Sequence, residues 1–362
     1  MKLSFKLLIV LFVLPALVFA NDNPRFKGKY TKTKTINKEY SVNAEAALLV
    51  ANSYGNIDVI TWNENRIVID VVITTNGNNE EKVQDRLNKI DVEFSGNASK
   101  VTAKTTFKGK KDSSWNLWGK NNKVSMEINY TIKLPVSNSV DLDNNYGAIS
   151  INDLNGHAKI NCDYGQINIG SLNADNNSLN FDYTKNSTIG FMKSGKINAD
   201  YSGFVLDKTE SLEMNAGYTK AEVTQVADLN YNSDYGKIKV GKVGKIIGRG
   251  DYTPLRVGVL SGEMNVNTDK GSITVERITS TAGDITIRSD YAGISLNFDN
   301  DYHFDFTIDL TYCSAIGIDD LEVLNSSKEH SNKFYSGYHG SKDSGNTINI
   351  NSDYGGVTLK KN

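Results

Sequence analysis

A short phrase, Tyr-Gly-x-apolar-x-apolar, recurs through the middle and the end of the chain and constrains its fold more than any other feature. It reads NYGAISI at Asn145, DYGQINI at Asp163, DYGKIKV at Asp234 and DYGGVTL at Asp353. The tyrosine, or one lysine in its place, marks the repeat, and successive markers are 17 to 21 residues apart. A period of this length is typical of repeat proteins. The markers are Tyr146, Tyr164, Tyr183, Tyr201, Tyr218, Tyr235, Tyr252, Lys270, Tyr291 and Tyr312.

The residues after each marker alternate between apolar and polar types. Apolar side chains occupy the third and fifth positions, as in Ile149 and Ile151 or Ile238 and Val240. This period of two predicts a half-buried β-strand, and a second apolar run in most units predicts a second strand. One unit cannot fold alone, because each buried aliphatic side chain contributes only about 1.5–3 kcal/mol. Stacked units can share a continuous core.

The sequence therefore predicts an all-β protein, a parallel β-helix with rungs of about 17–21 residues. We expect right-handed coiling, because parallel crossover connections overwhelmingly take that hand. After Tyr183 the inward positions hold Asn186 and Thr188, which a β-bulge would explain. The repeat domain is predicted at residues 141–362, with a polar loop ejected from the stack at 325–346.

Residues 21–140 lack the regular repeat and predict an N-terminal cap that is rich in β-strands. The cap includes a candidate first rung at Tyr54, and the spacing of Val83, Leu87 and Ile90 predicts one short helix. A solenoid needs such a cover, because an exposed apolar edge invites edge-to-edge association.

The first twenty residues have the pattern of a signal peptide. Lys2 and Lys6 form a positive start, an apolar stretch follows, and Val18 and Ala20 are the small residues of a cleavage site. We expect an exported protein in the periplasm, on the outer-membrane surface or outside the cell. The junction has no cysteine, so we expect no lipid anchor. No later segment is apolar and long enough to predict a transmembrane helix.

The charge of the chain indicates what kinds of partner it lacks. Removal of Lys2 and Lys6 with residues 1–20 takes the net charge of −2 to about −4. Without a basic stripe, we expect no nucleic-acid partner, and we predict no cofactor.

Cys162 and Cys313 are eight repeats apart, too far for a disulfide, so they are predicted to be free, buried thiols. The sequence leaves the oligomeric state open.

The marker tyrosines are the first candidates for a binding site. They are out of phase with the inward residues, so their rings are predicted to point outward as a flat aromatic stripe. Stacking, at about 0.5–1.5 kcal/mol per neighbour, would make the stripe a structural ladder, and a platform for glycans or another extended polymer is the alternative. The candidate residues are Tyr146, Tyr164, Tyr201, Tyr218, Tyr235, Tyr252 and Tyr291.

An aspartate precedes most markers, so carboxylates are predicted to stack on successive rungs. Their repulsion requires solvent, hydrogen bonds from corner amides, or bridging cations. Aspartate is also a natural turn residue, and the corner role is favoured over a calcium-binding ridge. The candidate metal residues are Asp163, Asp200, Asp234, Asp251, Asp269 and Asp290.

Three segments together resemble a known family. They are NSYGNIDVITW followed by RIVIDVVIT, KLPVSNSVDLDNNYGAISINDLNG, and the repeated DYG units, and they look like the bacterial putative-adhesin proteins. The resemblance runs from about residue 40 to the C-terminus. It implies a fold like a β-helix and an envelope or surface location, and it supplies no catalytic residues.

The sequence thus predicts a non-enzymatic envelope or cell-surface protein, an adhesin or a binding and scaffolding module that uses the long faces of a solenoid. Its expected partner is a glycan or another surface protein. One alternative is a polysaccharide lyase or hydrolase, which would need a carboxylate cluster or a metal with a basic residue. The other alternative is an envelope signalling component that contacts another protein.

Overall fold

The computed structural model describes residues 26–108 and 124–362. The predicted signal peptide at residues 1–20 lies outside this part of the chain. The described residues form an all-β protein with a long sheet of 25 strands. Within them, the helices are one α-helix and one 3-10 turn at Ile318–Asp320.

Seven strands and the α-helix precede the regular repeats. They are β1 Tyr30–Ser41, β2 Ala47–Ser53, β3 Ile57–Trp62, β4 Arg66–Gly77, α1 Glu80–Asn88, β5 Ile90–Gly96, β6 Lys100–Phe107 and β7 Ser125–Pro135.

Thirteen strands follow in the central repeats. They are β8 Ser139–Asn145, β9 Ala148–Leu154, β10 Ala158–Asp163, β11 Gln166–Leu172, β12 Asn177–Asp182, β13 Ser187–Asp200, β14 Gly203–Gly217, β15 Lys220–Asp234, β16 Lys237–Asp251, β17 Leu255–Leu260, β18 Met264–Ile278, β19 Ile285–Phe298 and β20 Phe304–Thr311. The chain ends with β21 Ala315–Ile316, β22 Glu322–Glu329, β23 Asn332–His339, β24 Thr347–Asp353 and β25 Val357–Lys361.

Strands of successive repeats pair in parallel and in register. Leu212 lies beside Leu229, and Leu229 lies beside Ile246, each partner being 17 residues further along the chain. All three side chains are buried. Equivalent apolar residues therefore stack in columns, and the columns form one continuous core that no single repeat could bury.

The short helix α1 covers part of the N-terminal region. The Asn79 side chain caps it by accepting a hydrogen bond from the Lys82 N–H at 2.9 Å. Val83 and Leu87 are buried, and the helix packs against β1 and β4. Strands β1 and β4 are antiparallel to each other, and β4 is antiparallel to β7. The Tyr54 segment lies inside the stack, because β2 pairs in parallel with β8.

The C-terminal strands do not follow chain order in space. Strand β24 pairs in parallel with both β19 and β20, so the end of the chain lies between two earlier repeats. The marker order Tyr291, Tyr354, Tyr312 along the stack therefore differs from the order in the sequence.

The segment predicted as a loop at 325–346 contains most of a β-hairpin. Strands β22 and β23 pair antiparallel, and β23 also pairs antiparallel with β20. The prediction of an ejected loop is wrong for Asn332–His339, because the open edge of β20 provides backbone partners for that strand. Gly337 and His339 are buried there, although the segment is polar overall.

The irregular unit after Tyr183 contains one extra residue before its strand. Ser187 takes the first inward position, and Ile189 lies beside Ile169 and Leu206 in the core column. Asn186 has a φ of 58°, which lets the chain absorb the insertion. The extra residue lies in the corner before β13 and not within a strand, so it is not the β-bulge that the sequence suggests.

Candidate binding surface

Each repeat turns a corner at its marker residue in the same unusual conformation. Tyr201 and Tyr218 both have a φ of 50°, in the left-handed region that non-glycine residues seldom adopt. The Tyr201 N–H donates to the Gly217 carbonyl at 3.0 Å, and the Tyr218 N–H donates to the Asp234 carbonyl at 2.9 Å. A hydrogen bond between repeats thus fixes the corner, and the repetition aligns the rings.

The rings form what we call the tyrosine ladder. Neighbouring ring centroids are 4.6 to 5.3 Å apart, and the ring planes are within 11° of parallel. Seven of the eight rings are about half exposed, and Tyr54 is partly covered by Phe107. The ladder comprises Tyr54, Tyr146, Tyr164, Tyr183, Tyr201, Tyr218, Tyr235 and Tyr252.

A second, shorter stack continues beyond one break. Tyr291 stacks on Tyr354 at 4.6 Å, and Tyr354 stacks on Tyr312 at 4.9 Å. Lys270 fills the place between Tyr252 and Tyr291, with its ammonium 4.8 and 5.9 Å from the two ring centroids. The hydrogen bond to Tyr252 and the charge of Asp269 raise the pKa of Lys270.

The structure brings together the tyrosines that the sequence predicts as a stripe. Six of the seven belong to the ladder, and Tyr291 begins the shorter stack. The predicted set omits four members of the two stacks, Tyr54, Tyr183, Tyr312 and Tyr354. The marker position identified Tyr183 and Tyr312, but only strand pairing could place Tyr354 between Tyr291 and Tyr312.

The predicted aspartates also stack in register, one residue before the markers. Asp163 lies beside Asp182, which lies beside Asp200, but Gly217 interrupts the column before Asp234. The Asp200 carboxylate accepts a hydrogen bond from the Gly217 N–H at 2.9 Å. Desolvation raises the pKa of Asp182, and the neighbouring Asp163 and Asp200 charges add to this.

The hydrogen bond from the Gly217 N–H to the Asp200 carboxylate is typical of an aspartate that turns a corner. Further along the column, Asp234 lies beside Asp251, and Asp269 lies between Asp251 and Asp290. In residues 26–108 and 124–362, no three His, Cys, Asp or Glu side chains form a group that could hold a metal ion. The calcium-binding ridge that the sequence left as an alternative stays a prediction.

A column of asparagines runs beside the aspartates and was not among the predicted site residues. The Asn180 amide donates to Asn161 at 2.9 Å, Asn198 donates to Asn180 at 2.6 Å, and Asn215 donates to Asn198 at 2.8 Å. Each asparagine stands three residues before a tyrosine. That spacing is the signal from which the column could have been predicted.

The two cysteines are free thiols. Cys162 is fully buried, and burial raises the pKa of its thiol to about 12. Cys313 is half-buried rather than buried, and desolvation raises its pKa as well. Among the described residues, no helix has the length and apolar character needed to cross a membrane.

Several solved structures are similar to this chain. One is described as a putative cell adhesion protein from Clostridium sporogenes, with 12% identity, 91% of this chain and 100% of that chain covered, and a TM-score of 0.20. A putative adhesin from Parabacteroides merdae has 10% identity, coverage of 90% and 96%, and a TM-score of 0.32. A putative lipid binding protein from Parabacteroides distasonis has 9% identity, the same coverage, and a TM-score of 0.33.

Two of these three descriptions name adhesion proteins. They agree with the resemblance to the bacterial putative-adhesin proteins that the sequence shows. No protein-family model matches the chain, and no curated protein does.

Proposed function

We propose that this protein is a non-enzymatic, exported surface module that binds an extended glycan along the tyrosine ladder. The observation that carries the proposal is the exposure of the ladder. Rings such as Tyr164, Tyr218 and Tyr235 are about half exposed although they stack closely. Tyrosine combines apolar contact area with a hydroxyl that donates and accepts hydrogen bonds, and this combination suits a sugar ring.

The neighbouring asparagine column supports the same ligand. Its members are partly buried and linked to each other, so their amides are held in fixed positions. Fixed polar groups beside aromatic rings lose little conformational entropy on binding. A polymer whose units repeat along one line would meet the same pair of groups on the four strands that carry Asn161, Asn180, Asn198 and Asn215.

The proposal includes the wider architecture. Residues 141–362 form the repeat domain of a right-handed β-solenoid, and residues 21–140 cap its first end. Residues 1–20 direct export to the periplasm, the outer-membrane surface or the medium. The parallel, in-register pairing of strands β13 to β16 supports the solenoid. Strand β6 pairs with β2 and strand β7 pairs with β3, and these pairings support the cap.

The test compares two variants on a glycan array. Tyr164, Tyr201, Tyr218 and Tyr235 are changed together to Asn, which tolerates positive φ but has no ring. The matched control changes the same four residues to Phe, which keeps the stacked faces. We expect the Asn variant to lose at least about tenfold in affinity, equivalent to 1.4 kcal/mol, and the Phe variant to keep most of its binding.

Folding is checked by circular dichroism and thermal unfolding of both variants. Equal binding by wild type and a folded Asn variant would overturn the role of the ladder. Release of reducing sugars or unsaturated uronides from the bound glycan would instead favour the enzyme alternative. A pull-down that captures an envelope protein in a ladder-dependent way, with no glycan bound, would favour the signalling alternative.

A further inference from the structure

Seven basic side chains on the outer faces of the described repeats are each held by an acidic side chain of a neighbouring repeat. Such pairs lower the repulsion that in-register stacking of like charges would cause. The pairs are Lys159–Asp141 at 3.2 Å, Lys193–Asp175 at 2.8 Å, Lys196–Glu213 at 2.7 Å, Lys239–Glu222 at 2.6 Å, Lys245–Glu263 at 2.7 Å, Arg256–Glu276 at 2.5 Å and Arg277–Asp299 at 2.9 Å.

Lys220 and Lys237 are not held in this way, and they are neighbours across two strands. They stand in register on the adjacent strands β15 and β16, and both are exposed. The next residue on the far side of Lys220 is Gly203, which offers no carboxylate. Within the described part of the chain, neither lysine makes an ion pair. Two like charges therefore face each other without a compensating anion from the protein.

The two lysines lie in a surface groove of about 440 Å³. Lys239 and Arg256 also line this groove, and so do the carboxylates of Glu222 and Glu276. Those two carboxylates are already held by Lys239 and Arg256. The groove thus has four basic and two acidic side chains, and the uncompensated charge belongs to Lys220 and Lys237.

The groove adjoins the tyrosine ladder. Tyr218 and Tyr235 precede the two lysines by two residues each, and their rings stack at 5.1 Å. The aspartate column precedes the ladder on the other side, with Asp234 directly before Tyr235. A polymer on these rings would have carboxylates along one margin and two free ammonium groups along the other.

We propose that Lys220 and Lys237 form an anion subsite, and that the polymer bound on the ladder is an acidic polysaccharide. This inference rests on the proposed glycan function. Uronate carboxylates or sulfate groups would accept hydrogen bonds from the two ammonium groups. A linear polymer fits better than an anionic membrane, because the aspartate column on the opposite margin would repel a plane of lipid phosphates.

The experiment measures binding of the intact protein to matched polymers at low salt. The probes are polygalacturonate with its fully methyl-esterified form, and dextran sulfate with dextran. We expect the acidic member of a pair to bind at least tenfold more tightly. The double variant Lys220→Gln, Lys237→Gln should lose this preference, whereas the control Lys159→Gln, Lys196→Gln should keep it, because those lysines are ion-paired.

The possible results distinguish a failure of the anion subsite from a failure of glycan binding along the tyrosine ladder. Equal affinity for acidic and neutral polymers, or no binding to either, overturns the anion subsite. A preference that survives in the double variant overturns it too. Binding to phosphatidylglycerol vesicles but not to acidic polymers would overturn the polysaccharide assignment. If the lysines govern binding but the Asn ladder variant binds normally, the subsite stands and the ladder function fails.

Discussion

The Lys270 ammonium lies 4.8 Å from the ring centroid of Tyr252, at the break between the tyrosine ladder and the shorter stack. It also lies 5.9 Å from the ring of Tyr291. A cation above a ring is a favourable contact, so the lysine occupies the place of a ring without leaving a gap. The ladder is therefore a structural element as well as an exposed surface.

Completing the stack should stabilise the protein. In Lys270→Tyr, the new ring would replace cation–π contacts with stacking on both Tyr252 and Tyr291. We expect a higher midpoint in urea unfolding than for wild type, with Lys270→Met as the control that removes the charge and adds no ring. A lower midpoint for the tyrosine variant than for the methionine variant would contradict continuous stacking.

The glycine after the marker should be intolerant of a methyl group where strands approach closely. A Cβ at Gly165 would meet the Gly147 carbonyl oxygen of the neighbouring repeat. Gly165→Ala should therefore cost about 1–3 kcal/mol of unfolding free energy. Gly293→Ala is the matched control, because a Cβ there has no atom within 4 Å. Similar unfolding midpoints for the two variants would refute this packing.

The two thiols should differ in reactivity. Cys162 is buried with its pKa raised to about 12, and Cys313 is half-buried. Because the thiolate is the reactive form, a disulfide reagent at pH 8 should modify Cys313 first and Cys162 only after unfolding. The Cys313→Ser variant should show only the slow reaction. Fast modification of that variant in the native state would show that Cys162 is accessible.

Alkaline pH should destabilise the fold through Tyr130. Its hydroxyl lies 2.7 Å from the Thr105 hydroxyl, and burial raises its pKa from 10.0 to about 12. The folded state then binds the proton more tightly than the unfolded state. This contribution is complete below about pH 10 and is lost as the pH rises towards 12.

The Tyr130→Phe variant isolates that contribution. Its unfolding free energy should fall less steeply than that of wild type between pH 10 and 12, measured by urea unfolding at each pH. Cys162 has a raised pKa of the same sign, but it is present in both proteins and cancels in the comparison. Parallel pH profiles would contradict the burial of the Tyr130 hydroxyl.

The sequence predicted those parts of the fold that depend on local periodicity. Ile238 and Val240 face the core because residues two apart lie on one side of a strand. The outward direction of the tyrosines was predicted from the same parity, but Tyr164 and Tyr201 lie at corners between strands, where a positive φ orients their rings. The helix contains Val83 and Leu87 as their spacing predicted, whereas Ile90 begins strand β5.

Features set by distant pairing were not predictable in this way. Strand β24 enters between β19 and β20, where Ile350 lies beside Ile287 and Ile308, and a linear repeat count cannot show such an insertion. The β22–β23 hairpin is polar, and its second strand forms because β20 has an open edge. The unpaired Lys220 and Lys237 became visible only once the strand register was known.

The most direct test of a linear binding surface is the affinity of the intact protein for oligosaccharides of increasing length. Oligogalacturonates and neutral cello-oligosaccharides of two to eight units serve as probes. The ladder from Tyr54 to Tyr252 spans roughly 34 Å at about 4.8 Å per strand. We predict that affinity for at least one series rises with each added unit up to that length. A plateau at two or three units, or no binding at any length in either series, would contradict binding along the tyrosine ladder.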